Sequence, residues 1–356
     1  MNASQPEHPL KKGTVPVGGS ELQGESRPPE RDSPLFQRPA EYDCLCAGIV
    51  VADFICAPVT HVPDAGGVVM TDAISTAIGG CASNVAMDLA KIGRRAAVAG
   101  LVGSDMPGSF VRDALSKGGV DTAHLDETSA VQTSATLVIN VRGEDRRFIH
   151  TFGANAEFDG RQITPDLVRR ARVLYLGGFY LMPGLTAERV VEVFRCARDA
   201  NVPTVLDVVL PDPQIRREKL DKVMPWTDIF MPNVDEARQL TGLADPVEQA
   251  RSFLDAGART VVITCGGDGA VLAGESGILR AGRFPVEFVD GTGSGDAFAA
   301  GYIAGLLEGL PPERCLEIGS ALGASCVRRA GATTGVFTRC ELDEFLSTNR
   351  LEISAY

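Results

Sequence analysis

From Tyr42 onward, short apolar runs alternate with amphipathic helical patterns, and no other feature of this chain limits its fold as much. The run CLCAGIVVA comes first, and similar runs recur at Arg95 to Leu101, Val173 to Leu176, Thr204 to Leu206, Ile229 to Met231 and Thr260 to Thr264. Continuous apolar runs of this length suit strands covered on both faces, as in a parallel sheet. Because a helical pattern follows each run, the expected fold is α/β: a doubly wound, mostly parallel sheet flanked by helices.

The helix starts are marked by their caps. Asp105 precedes Pro107 in a pattern closed by Gly118, Asp245 precedes Pro246 with Glu248 three residues on, and Thr186 precedes AERVVEVF. Two segments break the rhythm. TSATLVINV, Thr133 to Val141, alternates at period two, the polar residues Arg142 to Asp145 turn, and Arg146 to Thr151 continue, which reads as a hairpin. Val59 to Ile78 is also strand-like, so a small β-sheet lid is expected from about 55–78 and 133–151. The face carrying Ala135, Leu137 and Ile139 needs a partner surface, because a two-stranded element is marginal alone.

Residues 1–40 hold seven prolines and four glycines with little apolar periodicity. Such a segment buries too little surface to offset the cost of ordering, so a disordered extension is expected ahead of one domain over 41–350. The net charge of −12 opposes attraction to phosphate backbones, which argues against a nucleic-acid partner. No stretch approaches the ~18 apolar residues a bilayer-crossing helix needs, so no membrane role is expected. Nine scattered cysteines, odd in number and mostly set in apolar runs, suit buried thiols in a reducing cytoplasm. None of the four histidines lies in a metal-binding spacing; His150 falls beside the lid.

Two glycine loops carry the chemistry. Asp290-Gly291-Thr292-Gly293-Ser294-Gly295-Asp296 runs straight into the apolar pattern AFAAGYIAGLLEG. The N–H groups of Gly293, Ser294 and Gly295 would stand at a helix N-terminus, where unpaired donors and the macrodipole attract an anion. None of the six lysines sits in a Walker A setting, and Asp296 occupies the third glycine position of a dinucleotide fingerprint. A carboxylate there repels phosphate, but it suits a base taking a proton from an attacking hydroxyl. The plainer alternative is a helix N-terminal acid. In the second loop, Gly79-Gly80-Cys81-Ala82-Ser83-Asn84, the glycines admit a ligand to the backbone and Asn84 offers both donor and acceptor.

These loops resemble the two signatures of the PfkB (ribokinase-like) carbohydrate kinases. Gly79-Gly80-x-Ala82-x-Asn84-x-Ala86 with Gly93 and Gly103 resembles the first, and residues 290–303 resemble the second, except that Gly291 replaces the usual Thr or Pro. The similarity runs in order over residues 43–340. Pro232-Asn233-Val234-Asp235-Glu236 resembles the family's NxxE motif, although Asn233 and Glu236 equally form a helix capping box. Thr264-x-Gly266-x-x-Gly269 resembles its nucleotide loop. Asp53, following Gly48, resembles the aspartate that holds sugar hydroxyls, with a strand-end cap as the alternative. Gly153-Ala154-Asn155 resembles a sugar-site segment.

The resemblance implies transfer of the ATP γ-phosphate to a primary hydroxyl, with Asp296 as base and Gly293 to Gly295 as anion hole. Glu236 and Asn233 would order Mg²⁺ through water. Asp290 and the backbone near Gly331 would hold a monovalent cation such as K⁺. Asp53, Gly79, Gly80, Asn84 and Asn155 would bind the acceptor, and Asn233, Glu236, Thr264, Gly266, Gly269, Gly293 and Gly295 the ATP. Val208-Val209-Leu210-Pro211 after Asp207 offers no guanidinium for an acidic sugar. A neutral ribose- or fructose-like acceptor is therefore expected, with a nucleoside as the alternative and a non-catalytic binding protein as the third reading. Relatives often pack lid on lid, so a homodimer is expected.

Overall fold

In the computed structural model, residues 40–356 are described except Asp145 and Arg216, so all but the last residue of the expected extension over 1–40 lies outside the described residues. The strands are β1 (Tyr42–Gly48), β2 (Val51–Cys56), β3 (Ile74–Gly79), β4 (Ala96–Gly103), β5 (Asp121–Thr128), β6 (Ala135–Ile139) and β7 (Arg147–Thr151). They continue with β8 (Ala171–Gly177), β9 (Thr204–Leu206), β10 (Ile229–Phe230), β11 (Thr260–Thr264), β12 (Ala270–Gly274), β13 (Gly277–Ala281) and β14 (Ile353–Ala355). The helices are α1 (Cys81–Lys91), α2 (Met106–Lys117), α3 (Pro165–Arg169), α4 (Ala187–Asp199) and α5 (Glu218–Asp221). After these come α6 (Val234–Thr241), α7 (Pro246–Asp255), α8 (Ser294–Leu307), α9 (Pro312–Cys326) and α10 (Arg339–Thr348).

Ten strands form one sheet in the order β14-β13-β12-β11-β10-β9-β8-β1-β4-β5. From β11 to β5 every pairing is parallel, as the short apolar runs imply. Strand β1 lies between β4 and β8, so the winding direction reverses there, and the crevice beyond its C-terminal end is where such sheets bind ligands. The caps act as the sequence suggests: Asp105 accepts from Gly108 N, Thr186 from Arg189 N and Asp245 from Val247 N.

Three expectations need correction. The run CLCAGIVVA is two strands: β1 in the main sheet and, after a break at Ile49 and Val50, β2 in a second sheet. Apolarity fills both strands alike and gives no sign of the change of sheet. Strand β11 is followed by no α-helix; Gly266 to Asp268 form a single 3-10 turn into antiparallel β12, and β13 and β14 complete an antiparallel edge. The turn glycines carry this local signal. Finally, Arg146 is no strand residue, because its side chain leaves the hairpin for the main domain.

The second sheet has the order β3-β2-β6-β7. Its outer pairs are antiparallel and β2 with β6 is parallel. Asp53 pairs with Ala77 and Thr136, and Thr136 with His150, so Asp53, Thr136 and His150 share a face. The other face carries Phe54, Leu137, Ile149 and Ile74, of which Leu137, Ile149 and Ile74 are exposed.

Candidate active site

Helix α8 is apolar almost all round and is buried from Ala297 to Gly305. Gly301 brings it against the Ile318 backbone of α9, where a Cβ would stand 2.6 Å from the Ile318 carbonyl oxygen. This packing fixes the N-terminus of α8 inside the molecule. The residue before the helix, Gly293, has φ 78 and sits against Ala332, whose carbonyl oxygen a Cβ would meet at 2.3 Å. Glycine is required there on both counts. Of the three expected anion donors, the Ser294 N–H reaches back to Gly291 O at 3.3 Å, while a Cβ on Gly295 would face open space.

Asp296 lies in the first turn of α8 and Asn84 in the first turns of α1, so the two glycine loops meet. Asn84 Nδ2 donates to Asp296 Oδ2 at 2.8 Å across 212 residues of sequence. Asn84 is buried, and its Oδ1 has no hydrogen-bond partner among the described residues. Burial raises the Asp296 carboxyl above the usual range, against the hydrogen bonds from Asn84 and Cys81. A carboxylate raised in this way binds a proton more readily than a surface acid.

Asp53 stands on the adjoining strand and is 9% exposed. Burial pushes its pKa up to about 6, with the Asp296 charge adding to the rise and the Thr136 hydrogen bond opposing it. Gly79 gives the carboxylate its room, since a Cβ there would lie 2.3 Å from Asp53 Oδ2. Thr136 Oγ1 is also 3.1 Å from His150 Nδ1. Sequence reasoning missed Thr136 and placed His150 beside the lid; that the two face Asp53 follows from the strand register.

Asn155 is placed differently. Its Oδ1 accepts from Val50 N and its Nδ2 donates to Val50 O, both at 3.1 Å, and the residue is 1% exposed. The amide fastens the break between β1 and β2, three residues before Asp53.

Asp207, just past β9, is the residue the sequence left without a role. Its position at the C-terminal end of a parallel strand is the available signal. Tyr175 Oη donates to its Oδ2 at 2.9 Å. Oxygen atoms of Asp207 and Asp296 and the Cys81 Sγ lie within 4.8 Å of one another. Burial and then the Asp296 charge push Asp207 up to about 7. Glu236 rises to about 8, from burial first and the Asp207 charge next. Hard carboxylate oxygens that hold each other's charge unfavourably suit Mg²⁺, whereas the Cys81 thiol does not.

Asn233 and Glu236 form the capping box of α6: Asn233 Oδ1 accepts from Asp235 N and Glu236 N, and Asn233 N donates to Glu236 Oε2. Asn233 also bridges Thr264, so the NxxE segment and the turn containing Thr264, Gly266 and Gly269 lie side by side. Asp290 takes Thr292 N at 2.7 Å and Gly331 N at 3.0 Å, together with the Arg146 guanidinium. A positive charge from the chain itself already serves this carboxylate, so these residues do not fit a second cation.

A buried aspartate in the first turn of a helix that opens on a glycine loop is an arrangement phosphotransfer can use. The chain matches the description "pfkB family carbohydrate kinase" over residues 42–339. It belongs to this family and is a sugar kinase, transferring a phosphoryl group to an alcohol. It is 29% identical over 279 residues to a ribokinase of Haemophilus influenzae, covering 76% of this chain and 87% of that one. To a 2-dehydro-3-deoxygluconokinase of Bacillus subtilis it is 30% identical over 298 residues, covering 80% and 91%. Arabidopsis thaliana ribokinase, solved with ribose and ATP, shares the fold with a TM-score of 0.76 at 22% identity, covering 86% of this chain and 99% of that one.

Proposed function

We propose that this sugar kinase transfers the γ-phosphate of ATP to a primary hydroxyl of a neutral ribose- or fructose-like sugar. The observation that carries the reading is the 2.8 Å bond between Asn84 and Asp296, which joins the acceptor loop to the anion loop. The acceptor lies between Asp53, the Gly79 and Gly80 backbone, and Asn84. Asp53 takes its hydroxyl hydrogens, and the unpartnered Asn84 Oδ1 takes another. Asp296 accepts the proton of the attacking hydroxyl as the oxygen approaches phosphorus in line. The N–H groups of Gly293, Ser294 and Gly295 stabilise the charge gathering on the phosphoryl oxygens, worth about 3 kcal/mol per donor in comparable sites. Ser294 does so by giving up its long bond to Gly291 O.

The nucleotide lies along Asn233, Thr264, Gly266 and Gly269. Glu236 and Asp207 hold Mg²⁺, through water at Glu236; the ion would screen the phosphates and the clustered carboxylates. The four-stranded sheet covers the acceptor as a lid and keeps water from the phosphate. Its outward face of Ile74, Leu137 and Ile149 packs on the same face of a second copy, giving a homodimer. The absence of arginine or lysine from Val208 to Pro211 favours a neutral over a carboxylated acceptor.

A panel of neutral sugars, sugar acids and nucleosides assayed with Mg·ATP tests this. A neutral pentose or hexose should give the highest kcat/KM, and Asp296→Asn should lower kcat by about 100-fold or more while leaving ATP affinity intact. Near wild-type turnover in folded Asp296→Asn would remove the base assignment. A nucleoside or a sugar acid as best acceptor would replace the neutral sugar.

A further inference from the structure

The hairpin of the small sheet sends one charged side chain across to the anion loop. Arg146 Nη1 donates to both Asp290 Oδ1 and Thr292 Oγ1. The pair is largely enclosed, the Arg146 side chain being 23% exposed and that of Asp290 11%. Asp290 is already braced by Thr292 N and, through its other oxygen, by Gly331 N. Burial alone would raise this carboxyl, but the bonds from Gly331 and Thr292 and the Arg146 charge hold it below the usual range. An enclosed carboxylate with that many donors and a guanidinium has a complete set of partners.

Position gives the contact its consequence. Asp290 and Thr292 flank Gly291, and Gly293 follows immediately, so Arg146 grips the segment that aims the anion donors. The Cys326 thiol, at the end of α9, lies between Thr292 O at 3.3 Å and Ala332 O at 3.1 Å, beside the same segment. The guanidinium passes close to Gly291, where a Cβ would stand 3.8 Å from Arg146 Nη2, an ordinary van der Waals contact. On the other side, Arg146 leads directly into β7, whose His150 shares a face with Thr136 and Asp53. One residue thus ties the sheet that holds the acceptor to the loop that receives the phosphate.

We propose that Arg146 supplies the positive charge at Asp290 and positions the anion loop, so that nucleotide binding and transfer in this protein need no monovalent cation. The inference rests on the kinase reading of the Gly293 to Gly295 loop. A guanidinium fixed by the fold does permanently what a bound alkali cation would do at a carboxylate left without a partner. It also makes the loop's geometry depend on where the small sheet lies.

The test is calorimetry of full-length protein with a non-hydrolysable ATP analogue and Mg²⁺, in KCl and in tetramethylammonium chloride at equal ionic strength. Wild type should bind equally in both salts, within twofold. Arg146→Gln should bind at least 10-fold more weakly in tetramethylammonium and recover most of that loss in KCl, as K⁺ takes the vacated charge. Arg146→Lys should keep most of the affinity in either salt. Wild-type binding that improves 10-fold or more in KCl would overturn the proposal. So would Arg146→Gln binding like wild type in tetramethylammonium, or a loss that neither K⁺ nor lysine repairs. No analogue binding by wild type in either salt would instead sink the kinase reading beneath it.

Discussion

Asp53 and Asp88 are both buried carboxylates, yet they test different things. Asp53 is raised to about 6 by burial, with the Asp296 charge adding to the rise, and its carboxylate fills the room left by Gly79. Asp53→Ala should raise the acceptor KM by about 10-fold or more and leave the KM for ATP within about twofold; steady-state kinetics with each substrate varied decides it, and the opposite pattern would reverse the site map. Asp88, in the middle of α1, is fully buried, and neither carboxylate oxygen has a hydrogen-bond partner among the described residues. Burial drives its pKa well up, with Asp296 adding to the rise and Lys91 opposing it. Because the folded pKa exceeds the unfolded value of about 4, its stabilising contribution is complete below that value and is lost as pH rises through the folded pKa. Asp88→Asn removes the ionisation and should melt higher than wild type at pH 8, with the gap closing towards pH 5. Equal melting temperatures at pH 8 would show that Asp88 has a partner in solution. The sequence marks Asp88 only as an acid inside an apolar helix pattern, and its lack of partners depends on what packs around it.

At the scale of elements, the start of α8 separates stability from function. Gly293 needs positive φ and has Ala332 against it, so Gly293→Ala should cost about 1–3 kcal/mol of unfolding free energy and abolish turnover together. Gly295 has open space before it, so Gly295→Ala should melt close to wild type while weakening nucleotide binding by about 10-fold, because the added methyl stands where the phosphate approaches. Denaturant curves and calorimetry on the two variants check this; a large stability loss in Gly295→Ala would mean that the glycine is structural. Both loops were legible as motifs, since glycine and cap residues act within a few positions. The antiparallel edge after β11 was less so. A tight turn between strands and a loop leading into a helix use the same glycines, and only the pairing of Ala270–Gly274 with β11 distinguishes them.

The whole molecule depends on where its two sheets stand. The outward face of Ile74, Leu137 and Ile149 predicts that sedimentation at micromolar concentration will give about twice the chain mass of 37.6 kDa, and that Leu137→Glu with Ile149→Glu will halve it. A wild-type mass near 37.6 kDa would withdraw the dimer. The alternation of apolar runs and capped helices by itself determined the parallel core, because strand burial and helix amphipathicity are properties of neighbouring residues. The glycine loops pointed to the class of chemistry through their resemblance to the two PfkB signatures. Only the tertiary structure decided that CLCAGIVVA serves two sheets, that Asn155 fastens Val50, that Asp207 joins Asp296, and that Arg146 reaches Asp290. Each is a contact between segments remote in sequence, where Coulomb interaction and burial depend on distance in space and leave no periodicity in the chain.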